Sequence, residues 1–306
     1  MRTRLRNLWD LPIKEGPYLD DRDTKPFFTS YDPLGPFMNF EKMGVLDWGS
    51  VSVDEVGIPR LIYYGRPEYY PVTVLHLALE LANKHFYAPG DAEIERRFFQ
   101  LIDWTLDHQD EHGGWPTPYD HNFFEPRTEL TRTPWYSCLT QGLAISLLVR
   151  LAHWKGADMR ERIMRAAAVM TRDVAHHGTA ARVMGVKVYE EYPTDPPSAV
   201  LNGMIYGLIG LYDGWTLLGD PVLKQALDAG LDSVETLLPL YDLGDGTAYD
   251  LTHITSRVNG PNRARWKYHR LHVELLSILE MIRPGLFGIF AERWEMYLRG
   301  NRLREN

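Results

Sequence analysis

The segment 201-LNGMIYGLIGLYDGWTLLGDPVLKQALDAGLDSVETLL-238 decides the fold. Leu201, Met204, Leu208, Leu211 and Trp215 recur at steps of three and four, the spacing of one helix face. Gly219-Asp220-Pro221 interrupts the pattern, and Val222, Ala226, Leu231, Val234 and Leu238 resume it, so the segment predicts a helical hairpin.

The same layout occurs three more times. After Pro71, Val72, Leu75, Leu79, Ala82 and Phe86 form one stripe; Pro89-Gly90-Asp91 breaks it, and Ile94, Phe98, Leu101 and Ile102 start a second. Leu139, Leu143, Leu147 and Leu151 are followed by Gly156 and then Ile163, Ala166, Met170 and Val174. Leu271, Leu275, Ile278 and Ile282 precede Pro284-Gly285 and then Phe287, Phe290, Trp294 and Tyr297. First helices starting near 72, 138, 200 and 268 lie 66, 62 and 68 residues apart, a repeat of architecture without a repeat of sequence. These first helices are apolar on more than one side, which places them inside. The expected fold is all-α dominated, an (α/α) toroid or barrel of about four hairpins spanning residues 57–306; an open solenoid is the alternative. Residues 1–56, with Pro12, Pro17, Pro26, Pro33 and Pro36 and no sustained period, predict an irregular arm with room for short strands.

Composition narrows the function. The 306 residues are 44% hydrophobic and 24% charged, with mean hydropathy −0.31, so a sizeable core is expected. With 33 Lys and Arg against 41 Asp and Glu the net charge is −8, the wrong sign for a nucleic-acid or anionic-membrane protein. Cys138 is the sole cysteine, which excludes an intrachain disulfide and a Cys-rich zinc site. Asp10, Pro12, Lys14 and Glu15 interrupt any leader-like apolar run and no 18-residue apolar stretch occurs, so no membrane span is expected, and the expected location is cytoplasmic or loosely envelope-associated. Aromatic residues reach 12%, with 17 Tyr and 9 Trp, the side chains whose flat faces stack on sugars.

In a toroid the segments entering the inner helices gather on one face. Here they are 63-YYGRPEYYP-71, Gly113-Gly114-Trp115-Pro116 through Pro134-Trp135-Tyr136-Ser137, 190-EEYPT-194 and 264-ARWKYH-269, each mixing Tyr or Trp with charge. Helix N-termini at that mouth favour an anionic ligand, and Arg66, Arg257, Arg263 and Arg265 are candidate carboxylate contacts. An acidic sugar fits. His108 with His112 and His269 with His272 share helix faces but lack a carboxylate frame, so no metal is expected, and the absence of phosphate-binding Gly-rich motifs predicts no cofactor. Cys138, at the start of an apolar helix, is expected to pack.

Glu191-Tyr192-Pro193-Thr194, Pro197-Ser198 and 200-VLNGMIYGLIGLYD-213 resemble the signature of the D-glucuronyl C5-epimerases. The likeness continues through 238-LPLYD-242, 246-GTAYDL-251, Pro261-Asn262 and 264-ARWKYH-269; upstream, Gly113–Pro116, Trp135-Tyr136-Ser137 and Gln141-Gly142 are similar. It spans about residues 57–303. The resemblance implies an (α/α) barrel and interconversion of D-glucuronate and L-iduronate within a heparosan-like polysaccharide. Glu191, Tyr192, Tyr249 and Tyr268 are then the catalytic candidates. Arg265, Asn202, Arg66, Tyr70, Trp115, Tyr136, Gln141 and His253 are the substrate-contact candidates. A homodimer built on the arm or on the last hairpin around Trp294 and Tyr297 is also implied. The family pattern Tyr-Asp-Leu-Arg-His is broken at Thr252, so Arg257, Arg263 or Arg265 is expected to hold the carboxylate. Proton removal from one face of C5 and return on the other calls for two acid–base groups, assigned to Glu191 and Tyr268. A Glu near 4.3 is expected to be a ready base, whereas Tyr268 is cast as an acid unless cationic neighbours lower it, for which Arg265 and Lys267 are the candidates. Two alternatives stand: a lyase that expels the O4 substituent from the same carbanion, with Tyr268 and His253 or His269, and a non-catalytic polysaccharide-binding toroid.

Overall fold

The computed structural model describes residues 31–38, 50–256, 258, 260–265 and 267–300. Among the described residues eight long helices fall in four consecutive hairpins: α1 (Pro71–Tyr87) with α2 (Ala92–Asp107), α3 (Cys138–Lys155) with α4 (Arg160–Thr171), α5 (Leu201–Leu218) with α6 (Pro221–Tyr241), and α8 (Lys267–Ile282) with α9 (Leu286–Leu298). A single-turn helix, α7 (Thr252–Thr255), lies between the last two. The breaks are those the sequence predicts: Gly156 and Gly219 stop α3 and α5 in the left-handed conformation, while Asp91 and Asp220 cap α2 and α6 by accepting backbone N–H groups.

Within each pair the first helix is the buried one. Helices α1, α3, α5 and α8 form a row of neighbours, each backed by its own partner. The closest approach is between α3 and α5, where glycines replace side chains. A Cβ on Gly142 would lie 2.4 Å from the Tyr206 carbonyl, and one on Gly210 would lie 2.4 Å from the Gly142 carbonyl. Every residue of α5 from Leu201 to Leu211 is buried, each large apolar one contributing roughly 1.5–3 kcal/mol. Polar exceptions in such a core need partners, and Asp213 has one in Arg150, both fully buried at 2.8 Å.

That ion pair anchors the N-terminal segment. Arg150 donates through Nε to the Gly35 carbonyl, and Tyr31 donates to Asp213 at 2.9 Å. Asn83 of α1 accepts from the Phe37 N–H and donates to the Phe37 carbonyl. Residues 31–38 are therefore part of the core, at the C-terminal ends of the inner helices. The remaining predicted arm, residues 1–30 and 39–49, lies outside the described residues.

Short strands complete the fold. β1 (Val51–Val53), β2 (Pro59–Tyr63) and β3 (Arg66–Glu68) form an antiparallel sheet before α1, with Val51 opposite Leu61 and Tyr63 opposite Arg66. β4 (Ala180–Val183) and β5 (Val186–Tyr189) form a hairpin between α4 and α5. In the last hairpin Trp294 and Tyr297 turn inward and are buried, while Ile289 and Met296 are exposed. Among the described residues no helix is long and apolar enough to cross a membrane.

Candidate active site at the helix entrances

Strand β5 runs directly into Glu190 and Glu191, and local hydrogen bonding fixes both. The Glu190 N–H donates to the Thr179 carbonyl, and its carbonyl accepts from Cys138 N–H at the start of α3. Its fully buried carboxylate accepts from Ser198 Oγ at 2.7 Å and from the Ala199 N–H at 3.0 Å. This ties the end of β5 to the chain entering α5. Burial pushes Glu190 up to about 7, against the pull of these donors.

Glu191 turns the other way, onto the first turn of α5. Its Oε2 accepts from Asn202 Nδ2 at 3.2 Å, and its carboxylate lies against the Gly203 N–H. Val200, the residue capping α5, offers no side-chain acceptor, so a distant carboxylate meets the free N–H groups of this helix. The contact requires glycine, because a Cβ at position 203 would sit 2.2 Å from Oε2. Glu191 is 3% exposed, and burial together with the Glu190 charge raises it to about 8. The expectation of a ready base near 4.3 is corrected by that desolvation.

Four tyrosines surround this carboxylate. Tyr249 and Tyr268 meet edge to face, with ring centroids 5.0 Å apart, and Tyr192 packs against the same cluster. Tyr70, from the entrance to α1, lies beside Tyr192 and is electrostatically coupled to Glu191 and Tyr268. Backbone pairing holds Tyr249 between Leu201 N–H and the Asn262 carbonyl. Burial raises all four phenols, and the Glu191 charge adds to each. The expectation that cationic neighbours lower Tyr268 is therefore corrected: burial comes first and Glu191 second, both upward.

Sequence reasoning missed two further groups. His121 stacks on Tyr192 at 4.3 Å with planes 13° apart, and burial lowers it to about 4, so it is neutral at pH 7. Its Nε2 and the Oδ1 of Asn202 are buried without a hydrogen-bond partner among the described residues. Such groups cost about 1–3 kcal/mol each unless a water or ligand satisfies them. Arg127 is the second: its Nη1 donates to the Gly260 carbonyl at 2.8 Å and to Thr252 Oγ1 at 3.3 Å. Its guanidinium thus reaches, from another loop, the position where the family pattern carries an Arg. Neither has a local signal, because the 108–137 loop lacks periodicity and is shaped by long-range pairs such as His121 with Thr131.

Other predicted contacts lie elsewhere. Trp115 is wholly buried and its indole donates to the Thr105 carbonyl at 2.7 Å; Gln141 accepts from the Trp115 N–H, and Tyr136 bonds Asp110. These three are buried and brace the loop against α3. His253 is half-buried and coupled to Asp250 and Arg127. Arg66 is exposed on β3, and Arg263 pairs with Asp245 instead of turning to the tyrosines. Arg265 is half-buried at the entrance to α8. Arg257 and the side chain of Lys267 lie outside the described residues. Among the described residues no group of three His, Cys, Asp or Glu side chains is placed to hold a metal.

Residues 109–296 match the sequence model described as D-glucuronyl C5-epimerase C-terminus. The D-glucuronyl C5-epimerase of Caenorhabditis elegans is 35% identical over 223 residues, 68% of this chain and 36% of that protein. An uncharacterized protein of Methanocaldococcus jannaschii is 28% identical over 108 residues, 35% of this chain and 32% of that one. The chain spans about a third of the length of these curated relatives.

Proposed function

Because this chain belongs to the D-glucuronyl C5-epimerase family, we propose that it inverts C5 of D-glucuronate residues within a heparosan-like polysaccharide. The observation that carries the reading is a buried carboxylate, Glu191, ringed by the phenols of Tyr70, Tyr192, Tyr249 and Tyr268. We also read the row of inner helices as closing into the expected toroid. In support, Tyr70 before the first inner helix and Tyr268 in the last meet at the same carboxylate.

Proton removal from C5 places a second negative charge beside the uronate carboxylate, and that state needs fixed positive potential. Arg127 and the N-terminus of α5 supply it in this reading. Ionised Glu191 takes the C5 proton from one face, and the hydroxyl of Tyr268 delivers a proton to the other. In the reverse direction the roles exchange. With Glu191 near 8, roughly a tenth is ionised at pH 7, which costs about 1.4 kcal/mol of the barrier. A phenol with a raised pKa is a weak acid, so Tyr268 gives up its proton only as C5 takes it, and the ratio of the two directions follows the relative stability of the two epimers in the polymer. Asn202 Oδ1 accepts from sugar hydroxyls, and His121 Nε2 accepts or donates according to its tautomer.

The test is deuterium incorporation at C5 of heparosan in heavy water, with Glu191→Gln alongside. We expect exchange by the native protein and a loss of about 10²–10⁴-fold in the variant, with folding kept. Appearance of an unsaturated uronate chromophore would identify a lyase instead. Binding without any exchange would identify a carbohydrate-binding toroid.

A further inference from the structure

Tyrosine rings continue outward from the pocket. The centroid of Tyr70 is 5.8 Å from that of Tyr119. Tyr119 stacks on Tyr63 at 4.2 Å with planes 26° apart, and Tyr63 meets Tyr64 edge to face at 4.7 Å. Tyr64 ends the series at the tip of the β2–β3 hairpin, 71% exposed. Its hydroxyl donates to Asn122 Oδ1 at 3.0 Å, pinning the ring to the loop that also carries His121. Arg66, opposite Tyr63 in the hairpin, is exposed beside it.

The hairpin turn shows that the ring at its tip is not there for the backbone's sake. Tyr64 and Gly65 have φ of 47° and 79°, as a two-residue turn joining antiparallel strands requires, and Asn at the first position meets that demand with less strain. Scattered exposed aromatics are ordinary. A contiguous series that starts at a buried carboxylate and ends in solvent is a different case. Stacked phenol faces suit the C–H faces of successive sugar rings, and a guanidinium beside them suits a uronate carboxylate.

We propose that Tyr70, Tyr119, Tyr63 and Tyr64, with Arg66, form an extended subsite that holds acidic sugar residues flanking the one at Glu191. The occupant is the continuation of the same polysaccharide chain, because the rings are continuous with the pocket that holds the reacting residue. The proposal rests on the reading of that pocket as a uronate site and adds to it a dependence on chain length.

The experiment measures binding of heparosan fragments of increasing length to the full chain by calorimetry, with C5 exchange followed in parallel. Tyr64→Asn removes the ring while suiting the turn, and Tyr64→Phe keeps the ring. Affinity of the native protein should rise with length and then level off. Tyr64→Asn should bind the long fragments roughly tenfold more weakly, and Tyr64→Phe should stay within about threefold of the native protein. Equal affinity of Tyr64→Asn and the native protein for long fragments would overturn the proposal, as would affinity independent of length. Binding that depends on length and on Tyr64, without C5 exchange, would uphold the subsite and refute the epimerase reading.

Discussion

Adding one methyl group at position 203 probes the seat of Glu191. The Cβ of Gly203→Ala would lie 2.2 Å from Oε2, 2.4 Å from Cβ and 2.7 Å from Cδ of Glu191, whereas ordinary contact begins at 3.4 Å. The carboxylate must retreat by 3.4 − 2.2 = 1.2 Å. Oε2, Cβ and Cδ of one side chain are struck together, so a rotation of its far end does not relieve the clash. A misplacement of about 1 Å at a reacting group costs on the order of 10²-fold in rate. Stability should change less. Alanine is the better helix former by about 1 kcal/mol, which offsets part of the roughly 1–3 kcal/mol of overpacking. We expect C5 exchange to fall about a hundredfold while the thermal midpoint moves by only a few degrees. Loss of the Gly203 N–H contact, which favours the ionised form, should also move the Glu191 midpoint above about 8. Native exchange rates with an unchanged pH midpoint would refute the placement of Glu191.

The rate should rise with pH to a plateau above about 8, and Glu190→Gln, which removes a charge that raises Glu191, should shift that midpoint downward; a pH–rate series checks both. Acid should weaken the fold through buried neutral histidines. His269 and His272 are lowered to about 4 and 3, so the stability they contribute above the unfolded value of 6.5 is lost as pH falls through those values. Glu190 and Glu191, with raised values, act in the opposite sense. Comparing urea midpoints at pH 7 and pH 4.5 in His272→Leu isolates one histidine: the gap between the two pH values should narrow. Arg127→Ala should raise KM for the polymer about tenfold, whereas Arg263→Ala, which breaks only the pair with Asp245, should leave KM unchanged; initial rates over a substrate series decide this.

The hairpins were legible because each rests on short-range signals, an apolar step of three and four ended by Gly or Pro. Glu191, Tyr192, Tyr249 and Tyr268 were found through motif likeness, and their convergence is a tertiary fact that periodicity does not carry. The inward packing of Trp115, Tyr136 and Gln141 was hidden for a related reason. An aromatic ring beside Gly-Gly looks the same in sequence whether it faces a sugar or the Thr105 carbonyl. The raised Glu191 was out of reach because desolvation is set by what packs around a carboxylate, here α5 and three entrance segments. Arg127 was hidden because it reaches Thr252 across 125 residues.

The Arg150–Asp213 pair places a condition on how this chain can be made and cut. Tyr31, Asp32 and Gly35 leave the ribosome some 180 residues before Asp213, and their binding place is complete only when Asp213 has been synthesised. Until then the cation of the second hairpin has no counter-ion and cannot enter an apolar interior at low cost. The second hairpin alone is therefore a poor stopping point for a nascent chain, and the third supplies what seals it. A shortened gene beginning after residue 38 would remove the Gly35 and Asp32 carbonyls and the Tyr31 hydroxyl from Arg150 together, leaving Nε and Nη2 of a buried guanidinium unserved. Expression boundaries that respect this fastening start upstream of Tyr31.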